Sequence, residues 1–312
     1  MKTELTPFQS IKLISLNKYF VEMVKLFELG VFPKVFLLSG QKGIGKFTLI
    51  FHFLNYIFSK NEKTQYNFKD NVININSNFY KSVLNQNCAD VIFLKAEEGK
   101  NIKIEDIREL KSILSKSTLS NKPRFTVIDE VEFLNINSVN ALLKTLEEPS
   151  KNNYFILINN QQSNLIETIS SRCLKNNIYL NSIERKIVIK HLIEEKRLNL
   201  LIEDDGNLSP GLLLVYNELS NKYKITQNDN MFSKLNKLLH AYKKDKNKAL
   251  INMSVFLIDQ YFYQLLSEKE NKIEFLLNLK SIIINKINEF FTYNLNINLV
   301  LNFIELKLKN VR

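Results

Sequence analysis

Gly40-Gln41-Lys42-Gly43-Ile44-Gly45-Lys46 places three glycines and a closing lysine between an apolar run, Val35 to Ser39, and a helical stretch from Phe47 to Phe58. A glycine-rich turn between a strand and a helix can wrap its backbone N–H groups around phosphate oxygens, and a lysine at its end faces the β and γ oxygens. Gly40, Gly43, Gly45 and Lys46 are therefore nucleotide-binding candidates. Hydrolysis asks for a Ser or Thr hydroxyl directly after the lysine to hold Mg²⁺. Phe47 stands there instead, offering no oxygen and adding bulk where the metal should sit. Thr48, one step on, is included with the loop although it points elsewhere on the helix.

Val127-Ile128-Asp129-Glu130 is an apolar strand ending in two carboxylates. In that arrangement the first can hold a Mg²⁺ shell and the second can polarise water. An acidic pair after a strand means little alone; its order and distance after the glycine loop, with a helix and a strand between, join the two. Asn159 and Asn160 end a further apolar run and by themselves read as a strand-ending turn. No metal site is expected. Cys88 and Cys173 are the two cysteines, far apart and without a histidine cluster, so neither a disulfide framework nor a tetrahedral zinc site can be built from them.

These residues need a sheet to position them. Val35 to Ser39, Asp90 to Lys95, Arg124 to Asp129 and Tyr154 to Ile158 are near-continuous apolar strands of the kind buried on both faces of a parallel sheet, and Ile178 to Leu180 supplies a short fifth. Between them, Ile104, Ile107, Leu110, Ile113 and Leu114 mark one amphipathic helix, and Val139, Leu142, Leu143 and Leu146 another, capped by Asn137 or Ser138 and stopped before Pro149. Asn61 to Asn87 is polar and weakly periodic and reads as a mobile insertion. After Leu180 helical spacing takes over: a helix capped by Ser182, a break at Asp204 to Gly211, a short helix at Leu212 to Leu219, and long apolar-periodic stretches to Leu308. The expected division is residues 1–180, an α/β domain; 181–221, a small helical domain; and 222–312, a helical C-terminal domain.

The 312 residues are 45% hydrophobic and 24% charged, the balance of a folded protein of two or three domains. No run approaches the ~18 uninterrupted apolar residues of a membrane span, and Met1 to Ser10 has no apolar core region, so a cytoplasmic protein without membrane contact is expected. Forty-three Lys and Arg against 32 Asp and Glu give +11. That surplus favours a polyanion such as nucleic acid. Abundant Lys, Asn, Ile, Phe and Tyr, all with A/T-rich codons, explain it equally well. The basic run Lys243 to Lys248 reads as a solvated loop or a nucleic-acid contact. In so lysine-rich a chain the six arginines, at 108, 124, 172, 185, 197 and 312, stand out as positions where the planar fork matters.

Asn140-Ala141-Leu142-Leu143-Lys144-Thr145-Leu146-Glu147-Glu148-Pro149, followed after a strand by Ser171-Arg172-Cys173, resembles a bacterial DNA polymerase III clamp-loader subunit of the AAA+ class. The likeness runs from about Leu16 to Leu180, and Phe47 together with Ser-Arg-Cys makes it most similar to the delta-prime subunits. It implies an AAA+ P-loop domain, a helical lid and a helical collar that holds a ring together. It implies further that Arg172 reaches in trans into a neighbour's ATP site as an arginine finger, and that Asn159 and Asn160 fall where a γ-phosphate sensor lies. The partners implied are the tau/gamma ATPase and delta subunits, the sliding clamp and primed DNA.

Three departures from an active motor subunit matter: Phe47; Leu212 where a lid arginine is common; and the absence from Asn61 to Asn87 of the zinc-binding cysteines many relatives carry. ATP binding is thus expected to be weak or non-hydrolytic, with no zinc. The rival readings are an active tau/gamma-like ATPase using Lys46, Asp129 and Glu130, and a separate AAA+ DNA-remodelling ATPase. A surface ion pair is the alternative role for Arg172.

Overall fold

The computed structural model describes residues 7–95, 101–115, 122–196, 200, 208–268 and 272–309. Two compact units emerge: residues 1–198 with 209–211, and residues 199–208 with 212–312.

In the first unit the elements run α1 (Asn17–Glu28), β1 (Val35–Ser39), α2 (Lys46–Ser59), α3 (Asn78–Leu84), β2 (Val91–Lys95), α4 (Ile104–Ser115), β3 (Arg124–Asp129), α5 (Ile136–Glu147), β4 (Asn153–Asn159), α6 (Glu167–Ser170), β5 (Leu174–Asn177) and α7 (Ser182–Lys196). The five strands form one parallel sheet in the order β2-β3-β4-β1-β5. Parallel neighbours need crossovers, and the crossover helices cover both faces. Side-chain alternation divides the core accordingly. Phe36, Leu38, Phe125, Val127, Ile156 and Ile158 pack with residues of α1 and α2 such as Phe20, Met23, Leu49 and Phe53. Val35, Leu37, Ile128, Phe155 and Leu157 pack on the opposite side with Ile107, Leu110, Val139, Leu142 and Leu146 of α4 and α5. The register pairs Ser39 with Asn159 and Ile128 with Leu157, which sets the carboxyl ends of β1, β3 and β4 side by side. Outside such ends an open α/β sheet forms its crevices.

Four expectations need correction. The fifth strand is Leu174–Asn177, not Ile178 to Leu180. It is an edge strand, so its Leu-Lys-Asn-Asn carries no apolar signal, whereas Ile178 is buried and donates its N–H to the Ser39 carbonyl just past the strand. Residues 61–87 pack against the core: Tyr66, Ile73, Phe79, Tyr80 and Val83 are buried, and Ser77 caps α3 by accepting from the Tyr80 N–H. The cap of α5 is Asn135, whose Oδ1 accepts from the Ser138 N–H at 2.8 Å. α7 is likewise capped one residue earlier than expected: Asn181 Oδ1 accepts from the Glu184 N–H, and the Glu184 carboxylate accepts from the Asn181 N–H, a reciprocal capping box.

His52, fully buried in α2, ties two outlying segments to this unit. Its Nε2–H donates to the Ser10 carbonyl, and its Nδ1 accepts from the Tyr66 hydroxyl, each at 2.9 Å. Burial pushes its pKa from 6.5 down to about 4, so the ring is neutral.

The second unit is helical: α8 (Pro210–Lys222), which begins in the first unit, then α9 (Met231–Asp245), α10 (Lys248–Glu268), α11 (Ile273–Tyr293) and α12 (Ile297–Lys309). Leu235, Leu238, Leu250, Met253, Ile283, Phe290 and Ile304 are buried at helical spacing. The break expected at Asp204 to Gly211 lies, over 204–207, outside the described residues. Among the described residues, no helix is long and apolar enough to cross a membrane.

Candidate functional site

The glycine loop leaves β1 and enters α2 through two left-handed residues, Gly43 (φ 84°) and Gly45 (φ 94°). Gly45 is the N-cap of α2 and offers no side chain, so the first N–H groups of a 14-residue helix face outward. Gly40 is needed for space: a Cβ there would stand 2.3 Å from the Ile178 carbonyl oxygen. The Gly211 N–H, at the start of α8, donates to the Gly43 carbonyl at 2.9 Å. Lys46 is buried, and its ammonium donates to the carbonyls of Gly40 (2.7 Å) and Gln41 (2.8 Å). Burial lowers its pKa to about 8, opposed by the charges of Asp129 and Glu132.

β3 delivers the carboxylates. Asp129 accepts from the Asn160 side-chain amide (3.1 Å) and the Glu130 N–H (2.9 Å), and Lys95 lies 3.7 Å away. Burial raises its pKa, and the Lys95 charge partly counters this. Glu130 sits at φ 59° and is paired at 2.6 Å with Lys42, which also donates to Gln162 at 3.2 Å. Asn159 closes a turn by accepting from the Gln161 N–H (2.9 Å) and reaches Ser39 at 3.4 Å. The two asparagines thus make a strand-ending turn whose second member binds Asp129.

A third carboxylate went unrecognised in the sequence. Glu132, also buried, accepts on Oε1 from the N–H groups of Asn160 and Gln162, and Oε2 has no hydrogen-bond partner among the described residues. Burial raises its pKa. The signal was a third acid within four residues. What hid it was its place in a one-turn helix, Val131–Phe133, too short to show a period. Lys42, which restrains Glu130, and Gln162, which accepts from Lys42, carried no signal either.

The loop fits phosphate, but the metal position does not fit. The Phe47 ring packs edge-on against Phe8, with centroids 5.3 Å apart, and lies 5.5 Å from Phe93. The place of the hydroxyl is therefore part of the aromatic core. Thr48 is half-buried and makes no side-chain hydrogen bond among the described residues. Beside the loop lies a cleft of about 290 Å³, bordered by Gly40, Gln41, Ile44, Tyr179, Arg185 and Pro210 among others. Of the candidate residues only Gly40 lines it.

Arg172 is not in this cluster. It follows α6, and its guanidinium binds the Glu147 carboxylate through Nε (2.7 Å) and a terminal nitrogen, and the Thr168 carbonyl at 2.7 Å. The pair is exposed. Cys173 turns inward, donating to the Ile169 carbonyl, and burial pushes its thiol up to about 11.

The family described as "DNA polymerase III, delta subunit" matches residues 17–182, which hold every element of this cluster and Arg172. The chain belongs to that family. It is thereby a clamp-loader relative, as its Leu-Glu-Glu-Pro and Ser-Arg-Cys segments imply. It is 28% identical over 243 residues to the DNA polymerase III subunit gamma of Buchnera aphidicola subsp. Schizaphis graminum, covering 77% of this chain and 60% of that one. With the subunit delta' of Pseudomonas aeruginosa it shares 36% over 87 residues, 28% of this chain and 26% of the other. The chain thus spans between about a quarter and three fifths of these relatives' lengths. A gamma-subunit-related protein from Thermotoga maritima superposes with a TM-score of 0.50 at 19% identity, over 94% of this chain and 99% of that one, and shows the same AAA+ fold.

Proposed function

We propose that this chain is a delta-prime-like subunit of the DNA polymerase III clamp loader, a cytoplasmic protein that holds the ring together while motor subunits place a sliding clamp on primed DNA. In this role the α/β domain, the small helical domain and the C-terminal collar act in turn as platform, lid and ring contact. The observation that carries the reading is Phe47. With its ring in the aromatic core, nothing follows Lys46 that could hold the metal. Lys42 on Glu130 supports the same conclusion, because a carboxylate held by an ammonium is a poor base for water.

The glycine loop keeps a weak phosphate site in which Gly43, Gly45 and Lys46 do the binding. The isolated chain is expected to bind ATP weakly and to turn it over negligibly. Steady-state hydrolysis at a motor subunit's rate, abolished by Lys46→Ala, would reject the proposal and favour an active gamma-like ATPase. The length of the similarity to a gamma subunit supports that second reading. The separate DNA-remodelling ATPase is tested by purifying the chain from its own cells: DNA polymerase III subunits should accompany it, and their absence would revive that reading. The chain is also proposed to work without zinc, so elemental analysis finding about one zinc per chain would contradict this part.

A further inference from the structure

The positive charge is concentrated. Residues 221–248 hold eight lysines and two aspartates, a net of +6 out of the chain's +11. Uniform codon pressure would spread lysine along the chain and does not account for this concentration. The stretch covers the end of α8, the whole of α9 and the turn into α10, all within the second unit. Asp245 draws these together: it accepts from Lys222 at 2.9 Å and from the Tyr223 hydroxyl, so the end of α8 is fastened to the last turn of α9. Lys237 donates to the Lys224 carbonyl at 2.8 Å, and Lys246, left-handed at φ 53°, reaches Asn294 at 3.5 Å.

Both acids are already used. Asp229 is neutralised by Lys237 at 2.7 Å and also accepts from the Thr226 N–H, and Asp245 is neutralised by Lys222. Lys224, Lys243, Lys244 and Lys246 are exposed, and none of them has an ion-pair partner among the described residues. The negative end of α9 explains a lysine or two in its last turn, Lys243 and Lys244. It does not explain the unpaired Lys224, two residues past the end of α8, or Lys246 in the turn that follows α9. Tyr223, half-buried, lies under the Lys222 ammonium, and Lys246 covers the ring of Tyr242, which is itself buried.

We infer that this corner of the helical unit is a sequence-independent DNA contact, with Lys243, Lys244 and Lys246 binding backbone phosphates. Nucleic acid is favoured over an acidic protein segment because the unpaired cations come both from the chain after α8 (Lys224) and from the end of α9 and its following turn (Lys243, Lys244, Lys246), with no unpaired acid among them, a surface suited to a continuous polyanion. The inference rests on the charge of this unit and not on the nucleotide site, so it stands or falls separately from the proposed function.

The test uses the full chain and a fluorescein-labelled DNA of random sequence, single-stranded in one arm and duplex in the other, with anisotropy read against salt. Lys243→Gln/Lys244→Gln/Lys246→Gln should weaken binding roughly tenfold or more at low salt and reduce the slope of log K against log salt by about 2 to 3. A charge-matched control, Lys63→Gln/Lys69→Gln/Lys81→Gln, removes three exposed lysines of the other unit and should change little. Binding in either arm with this dependence supports the inference, and which arm binds identifies the DNA form. Equal loss in both variants would show a bulk charge effect and overturn it, as would failure of the wild-type chain to bind either DNA. Poly-glutamate bound as tightly as DNA with the same three-lysine dependence would assign the corner to an acidic protein and overturn it as well.

Discussion

Arg172→Ala is expected to slow ATP turnover by a neighbouring wild-type motor subunit by about 10³-fold or more, with ring assembly and the fold of this chain intact. The size follows from the proposed role, since a guanidinium that offsets charge growing on the γ-phosphate acts mainly in the transition state. The intact fold follows from what Arg172 touches here. Its pairing with Glu147 is exposed, and such pairs are worth at most about 1 kcal/mol. The same exposure makes Glu147 an easily exchanged partner. Glu147→Gln should therefore leave the neighbour's turnover near wild type, which separates the two ends of the pair. Arg172→Lys should rescue poorly, because an ammonium lacks the fork that spans two oxygens. Turnover by a reconstituted ring with one motor site facing this chain is the measurement. Equal rates for wild type and Arg172→Ala would leave the residue as an ion pair and nothing more.

Acidification should destabilise the α/β unit through His52, by about 2 kcal/mol between pH ~7.5 and ~5 and about 3 kcal/mol once the folded ring itself is protonated. The sign follows from the two states. The folded ring has its pKa pushed down to about 4 by burial, while the unfolded one titrates near 6.5. Between those values the unfolded chain binds the extra proton, so stability is lost as pH falls from about 6.5 and the loss is complete below about 4. A difference of about 2 kcal/mol is roughly 4–8 °C in Tm for a unit of this size. His52→Gln keeps an amide that can donate to Ser10 and accept from Tyr66 but has nothing to titrate. Carboxylates titrate in the same range, so the informative quantity is the wild type's pH dependence minus the variant's, read by calorimetry. Parallel curves would mean that the ring is not held neutral by the core.

How much of this was legible depended on whether a feature shows in local pattern. β1, the glycine loop, β3 and the Asp129-Glu130 pair were readable because a strand buried on both faces is apolar at every position. The position of Phe47 after the lysine was readable too, and the structure supplies the reason its bulk is tolerated: the ring replaces a missing hydroxyl with contacts to Phe8 and Phe93. Residues 61–87 were misread because their anchors, Tyr66, Ile73, Phe79, Tyr80 and Val83, follow no single period, and several lie in irregular chain. Glu132, Lys42 and Gln162 matter through partners on other elements, about 30 to 120 residues away, and no local pattern encodes those distances. Arg172 stood out because lysine is the habitual cation of this chain and because it sits in the Ser-Arg-Cys segment.

The polarity of β5 has a bearing on how safely the chain folds. A sheet of this order is assembled from distant pairings, and until its helices dock its outer strands can recruit copies of themselves from other chains. Among the described residues β5 borders the sheet on one side, pairing with β1 alone. Its residues Lys175, Asn176 and Asn177 keep that border hydrated, and a second strand seated there would have to strip water from the Lys175 ammonium. The residues that conceal this strand from a reader of the sequence are the ones that keep its open edge from extending into an aggregate.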